Sequence, residues 1–251
     1  MFKIILLSFF SIITSAAQEI QMDTISKSVS LPNSNFKYKQ LIIPVVLIGY
    51  GFIGIENDQL KRVNTDIKVE VSEHIDKKIT IDDLSQYAPA ILAYALNTVG
   101  ITGKKNLKQR TILLATSYVI MTTSVLGLKS LTKIERPDSS SNNSFPSGYT
   151  ATAFAGAEFL WQEYKDKSIW YGITGYAVAT GTGIFRIVNN RHWLTDVAVD
   201  TGIGILSTKI AYWISPFIQN KIFTPKENKS ISVITPFYDG KQLGIGFLKT
   251  F

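Results

Sequence analysis

Residues 185–218 read FRIVNNRHWLTDVAVDTGIGILSTKIAYWISPFI. A polar block carrying Arg186, His192 and Asp196 runs straight into an apolar stretch, 197–218, whose only charges are Asp200 and Lys209. Such a stretch reads as a helix buried on most of its surface. Five more stretches upstream carry no charge at all: 41–55, 86–102, 111–128, 139–157 and 168–185. Their lengths sit at the edge of the roughly 17 to 25 residues that a spanning helix needs. The expectation is an all-α helical bundle without internal repeats.

Composition agrees with that reading. Hydrophobic residues make up 45% of the 251, charged residues only 18%, and the mean hydropathy is +0.14. Soluble chains carry roughly a quarter charged residues, so this is either a membrane protein or an unusually apolar helical one. The net charge of +7 and pI near 9.4 suit an anionic partner. The basic residues are spread between apolar stretches, however, so no nucleic acid partner is expected. With no cysteine, disulfides, thiolate catalysis and cysteine metal sites are excluded. His74 and His192 are the only histidines, too few for a multi-histidine zinc site, and neither a metal nor a cofactor is expected.

The beginning, MFKIILLSFFSIITSAAQEI, has Lys3, an apolar run and small residues before Gln18, and reads as a signal peptide cleaved after Ala17, or else as an uncleaved anchor. Either form sends the chain into export. Residues 18–40 read as a polar linker, 41–218 as the helical domain with its motifs within 86–215, and 219–251 as a tail. Leu60, Val63, Ile67, Val71 and Ile75 recur at helical spacing, as on an amphipathic surface helix. In the tail, Asp239-Gly240 between two apolar arms predicts a short β-hairpin.

Loop charge bears on embedding. The loops 103–110 and 164–167 are rich in lysine, and they alternate with 129–149 and 186–196. Lysine and arginine favour the cytoplasmic face, which would set the latter pair together on the outer side. A cleaved leader with spans at both 41–55 and 86–102 contradicts that order, so one of the two is not expected to span. A membrane protein with its site facing the periplasm and a soluble periplasmic bundle both remain open.

Three blocks carry chemistry: LKSLTKIERPD (128–138), FPSGYTAT (145–152) and FRIVNNRHWLTD (185–196). A phosphate dianion is held by two or three cations, arginine above all for its planar fork, and Lys129, Arg136 and Arg186 meet that need. Pro146-Ser147-Gly148 precedes an apolar run, so backbone N–H groups and the Ser147 hydroxyl at a helix N-terminus would face an anion, with Gly148 allowing close approach. His192 and Asp196 are four apart, so on one helix the carboxylate would hold one ring nitrogen and leave the other to attack phosphorus.

In order and internal spacing these blocks resemble the type 2 phosphatidic acid phosphatase superfamily, which also includes bacterial class A acid phosphatases and vanadium haloperoxidases. The family's pattern is Lys, six residues, Arg-Pro; then Pro-Ser-Gly-His; then Ser-Arg, five residues, His, three residues, Asp. The resemblance covers about 86–215. It implies a helical bundle of the phosphatidic acid phosphatase kind, His192 as nucleophile oriented by Asp196, and phosphate held by Lys129, Arg136, Ser147, Gly148 and Arg186. It implies a phosphatase of the bacterial cell envelope, acting through a phosphohistidine on a lipid phosphate, a diphosphate or another phosphate ester.

Phe185 replaces the family's serine and removes one hydroxyl contact. Tyr149 stands where the family has a histidine resembling the general acid; a tyrosine titrates near 10 and is the weaker acid at neutral pH, unless three neighbouring cations lower its pKa. Two other readings therefore stay open: a weakly active or inactive phosphate-binding homologue, and a vanadium-dependent haloperoxidase. Substrate and oligomeric state are not legible.

Overall fold

In a computed structural model of the chain, residues 37–74, 80–223, 232–238 and 243–249 are described. The expected signal peptide and nearly all of the linker lie outside them. After a 3-10 turn (Tyr38–Leu41), α1 (Ile42–Glu56) runs through the first uncharged stretch. α2 (Asp58–His74) restarts at once, because the Asn57 side chain accepts the free amides of Gln59 and Leu60 at 3.0 and 3.1 Å. Its inward face differs from the expected stripe. Val63 is exposed, whereas Asn64 is buried and donates through Nδ2 to the Thr195 hydroxyl at 3.0 Å. Ile75 lies outside the described residues.

The bundle continues with α3 (Asp82–Ser85), α4 (Ala88–Thr98), α5 (Leu107–Thr132), α6 (Gly148–Tyr164), α7 (Ile169–Val188) and α8 (Leu194–Phe223). α5 is capped by Asn106, which accepts from the Gln109 amide at 2.9 Å, and α7 by Ser168, which accepts from the Trp170 amide at 3.3 Å. α6 is the central pillar. It touches α4, α5, α7 and α8, and buries Ala151, Ala153, Ala155, Ala157, Phe159 and Leu160 completely. Small residues set the helix spacing. A Cβ at Gly204 of α8 would lie 2.9 Å from the Ala155 backbone nitrogen, so only glycine lets α8 come this close to α6.

Among the described residues, two helices are long and apolar enough to cross a membrane: α1 with its leading turn (Tyr38–Glu56) and α5 (Leu107–Thr132). Only 17% and 22% of their most apolar windows are buried, and Ile43, Val46, Val119 and Leu126 are exposed upon them. α4 has 11 residues and, at about 1.5 Å each, falls well short of a hydrocarbon core of about 30 Å. Of the two stretches in conflict, the second thus forms a helix too short to span.

Each end of the bundle gathers one pair of loops. At one, the Lys104 amide donates to the Glu163 carbonyl at 3.0 Å, and its ammonium meets Asp166 at 3.3 Å. At the other, the segment after α5 meets the segment after α7: the Asp138 amide donates to the Asn190 carbonyl at 3.1 Å and Arg191 pairs with Asp138 at 3.2 Å. The motif-bearing loops thus share one end, opposite the lysine-rich loops. In the tail, β1 (Ser232–Tyr238) pairs antiparallel with β2 (Leu243–Lys249), Tyr238 opposite Leu243; the Asp239-Gly240 turn lies outside the described residues.

Candidate active site

His192 sits in the turn before α8 rather than on the helix, and it is buried. Its Nδ1 lies 2.6 Å from the Ser144 carbonyl oxygen. A carbonyl can only accept, so Nδ1 carries the proton and Nε2 keeps the lone pair that a nucleophile needs. Asp196, expected to hold the ring, stands at ion-pair distance from the same nitrogen and raises the ring's pKa. The nearer carboxylate oxygen of Asp196 is 3.7 Å from Nδ1; it accepts instead from the Ser144 hydroxyl at 2.5 Å and from the Trp193 amide at 2.9 Å. Asp196 therefore fixes both flanks of the histidine, namely the loop residue that supplies the carbonyl and the residue that follows the ring. Burial pushes the His192 pKa down from 6.5 to about 4, against the raising effect of Asp196, so the imidazole is neutral at physiological pH.

The three cations lie within electrostatic reach of one another, and Lys129 and Arg186 each have a protein partner. Lys129, in the last turn of α5, donates to the Asn143 carbonyl at 2.6 Å and lies within electrostatic reach of Arg136, Arg186, Asp196 and Asp200. Arg136, in the loop after α5, has its Nε buried with no hydrogen-bond partner. Arg186, in the last turn of α7, is buried and pairs with Asp82 of α3 at 2.6 Å, while its Nε is unpartnered. Arg136 and Arg186 thus each keep a buried Nε–H without a hydrogen-bond partner, a donor that an anion could use.

α6 does begin at Gly148, with Ser147 as its N-cap. The Ser147 amide is nevertheless taken: it donates to the Asp200 carboxylate in a short hydrogen bond, and the Ser147 hydroxyl accepts from Thr150 at 3.3 Å. The amides of the first helical turn, beginning with Gly148, lack intrahelical partners by geometry and remain for an anion. Asp200 was not anticipated as a site residue. It is fully buried one turn beyond Asp196, and its Oδ1 has no partner. The signal was present in the sequence, since Asp200 is one of only two charges within an apolar stretch.

Tyr149 overturns the idea of a cation-lowered hydroxyl. Its ring stacks under the Arg186 guanidinium, 4.1 Å from the centroid, so the cation faces the π surface rather than the oxygen. The hydroxyl bonds to Asp83, and its pKa is raised by burial and by that carboxylate, with Arg186 opposing. His74 is no substitute: it lies exposed at the end of α2 beside Glu70. Phe145, preceding the cis-bonded Pro146, is fully buried against Phe52 of α1, which anchors the second block to the bundle.

Residues 110–219 match the family model of the PAP2 superfamily. The match covers less than half of the chain, and all eight expected site residues fall inside it. Over 139 residues the chain is 41% identical to the lipid A 1-phosphatase of Porphyromonas gingivalis, covering 55% of this chain and 31% of that protein. The chain thus spans about a third of that relative's length. Among solved structures, a transmembrane PAP2-type phosphatidylglycerolphosphate phosphatase from Bacillus subtilis aligns over 72% of this chain and 97% of its own, with 20% identity and a TM-score of 0.49. LpxE of Aquifex aeolicus aligns over 71% and 97%, with 21% identity and a TM-score of 0.41.

Proposed function

We propose that this protein is a membrane-embedded lipid phosphatase of the bacterial envelope that removes a phosphate monoester through a phosphohistidine. The observation that carries this reading is His192, neutral, with Nδ1 committed to the Ser144 carbonyl and Nε2 free, among the cations Lys129, Arg136 and Arg186. Nε2 attacks phosphorus, the P–O bond to the leaving group breaks, and a P–N bond forms. Water then attacks phosphorus, the P–N bond breaks, and inorganic phosphate leaves with His192 regenerated. Arg136 and Arg186 direct their unpartnered Nε–H groups at the phosphoryl oxygens, and Lys129 together with the first amides of α6 offsets the charge that builds there. The PAP2 family match, the lipid A 1-phosphatase relative and the apolar helices α1 and α5 support a lipid substrate met in the membrane.

The test is phosphate release by the full chain in detergent, from a lipid A-type 1-phosphate, a phosphatidylglycerolphosphate and p-nitrophenyl phosphate. Turnover on at least one, abolished in His192→Ala, is expected. A His192→Ala variant as fast as wild type would remove the nucleophile.

A second reading, a phosphate-binding homologue with little turnover, is favoured by one observation: the Tyr149 hydroxyl is bonded to Asp83 and shielded by Arg186. No acid then stands at the family's acid position. Aryl phosphates, which leave without a proton, should react faster than alkyl phosphates. Tyr149→His is expected to raise kcat on alkyl phosphates by about 10-fold to 100-fold, the lower range of general acid catalysis. Equal rates on both leaving groups in the wild type would show that the proton comes from elsewhere.

A further inference from the structure

α2 meets the loop that carries His192 along a single stripe. Asn64, Lys68 and Ser72 recur every four residues, so they share one face of the helix over about 12 Å. Each touches that loop. Asn64, buried, donates through Nδ2 to the Thr195 hydroxyl at 3.0 Å. The Lys68 ammonium stands 5.8 Å from the centre of the Trp193 ring. The Ser72 hydroxyl accepts from Asn190 Nδ2 at 3.1 Å. Asn190 itself has left-handed backbone, at φ 53°, where the chain turns from α7 toward His192. The three contacts thus bracket His192 at 190, 193 and 195. α1 grips Thr195 from another side: a Cβ at Gly54 would overlap the Thr195 methyl, so only glycine admits it. The cleft left between Asn64, Lys68 and His192 measures about 10 Å³, room for about one water.

We infer that α2 is a positioning element of the active site, its stripe of Asn64, Lys68 and Ser72 holding the His192 loop so that Nε2 meets phosphorus in line. This role rests on the phosphatase reading above and adds positioning residues from outside the PAP2 match at 110–219. The Ser144 carbonyl and Asp196 hold the imidazole and its neighbours from the second and third blocks, and the stripe closes the remaining side. Nucleophilic attack tolerates little error, since a misplacement of about 1 Å costs about 10²-fold in rate. The same packing keeps water from the ring, and burial is the main cause of its neutrality.

Kinetics and the ring itself are read on the full chain in detergent. The triple variant Asn64→Leu, Lys68→Met, Ser72→Ala is expected to lower kcat on p-nitrophenyl phosphate by about 10-fold to 100-fold with KM within about twofold, because other residues bind the anion. Ser72→Thr, which keeps the hydroxyl, and Thr65→Ala, on the exposed face of α2, should retain the wild-type kcat. Asn64→Leu and Thr195→Val should each lower kcat, and the double variant should fall no further. Nitrogen-15 spectra of histidine-labelled protein in a His74→Gln background report His192 alone, independently of turnover. The ring is expected as the Nδ1–H tautomer, neutral down to about pH 4, whereas in the triple variant it should mix tautomers and take up its proton nearer the ordinary 6.5. An unchanged kcat in the triple variant overturns the positioning role, as does a loss shared by Thr65→Ala. Identical spectra with and without the stripe overturn it whatever the rates. A wild type that releases no phosphate removes the phosphatase reading alone, and the spectra still decide whether the stripe holds the ring.

Discussion

At the scale of single residues, the site turns on one buried imidazole and two carboxylates of unequal role. The native protein keeps His192 neutral down to about pH 4, whereas an unfolded histidine takes up its proton near 6.5. Between those values the unfolded state binds more protons, so stability falls as pH is lowered from about 6.5 to about 4 and is fully present above that window. His192→Asn should flatten this part of the profile. The check is the difference in Tm between the two proteins from pH 7 to pH 4; a difference independent of pH would show that the ring is not buried neutral. Asp200 presents the opposite case, a carboxylate occupying an amide of the anion cradle. Burial and Asp196 raise the Asp200 pKa well above the usual carboxylate value; Asp200→Asn keeps an acceptor for the Ser147 amide and removes the charge that the ionised form places beside the cations. Inhibition by inorganic phosphate should tighten several-fold at neutral pH; unchanged inhibition would mean that Asp200 lies outside the field of the bound anion.

At the scale of elements, the sequence reported helices better than it reported their contacts. The five uncharged stretches gave rise to α1, α4, α5, α6 and α7, and the apolar stretch after them to α8, because length and apolarity are local properties. The spacing of Arg186, His192 and Asp196 was legible for the same reason. What escaped is non-local: Ser144, read as part of a polar loop, holds the imidazole from 48 residues away, and Asn64 replaces Val63 on the inner face of α2 because Thr195 awaits it. Lys209 could be found as a lone charge, but its partner could not. It pairs with Glu158 of α6 at 2.7 Å, and both are buried. Lys209→Met should cost about 3 to 5 kcal/mol by leaving Glu158 uncompensated, and adding Glu158→Gln should restore much of it. Urea unfolding of the single and double variants decides this; additive losses would show that the two side chains act independently. The pair thus fixes the register of α8 against α6, and with it the approach of Asp196 and Asp200 to the start of α6.

At the scale of the whole molecule, the exposed surface decides where the protein works. Soluble proteins rarely expose contiguous apolar patches beyond a few hundred Å². Here α1 exposes Ile42, Ile43, Val45, Val46 and Ile53, and α5 exposes Val119, Leu126 and Leu131. Such faces suit a lipid surrounding, and an apolar groove between α4 and α7 opens on the same kind of surface. The bundle also separates its charges: Lys104 and Asp166 meet at one end, while the cations of the candidate site gather at the other. Lysine-rich loops favour the cytoplasmic side, and on that ground we propose that His192 faces outward. The full chain should therefore stay in the membrane pellet after a carbonate wash. A cysteine introduced at exposed Ser140 in this cysteine-free chain should react with a membrane-impermeant maleimide in intact cells, while one at exposed Lys167 should react only after lysis. Release by carbonate would return the protein to the soluble periplasmic reading. Labelling at Lys167 but not at Ser140 in intact cells would keep the embedding and invert the orientation, moving phosphate release to the cytoplasm.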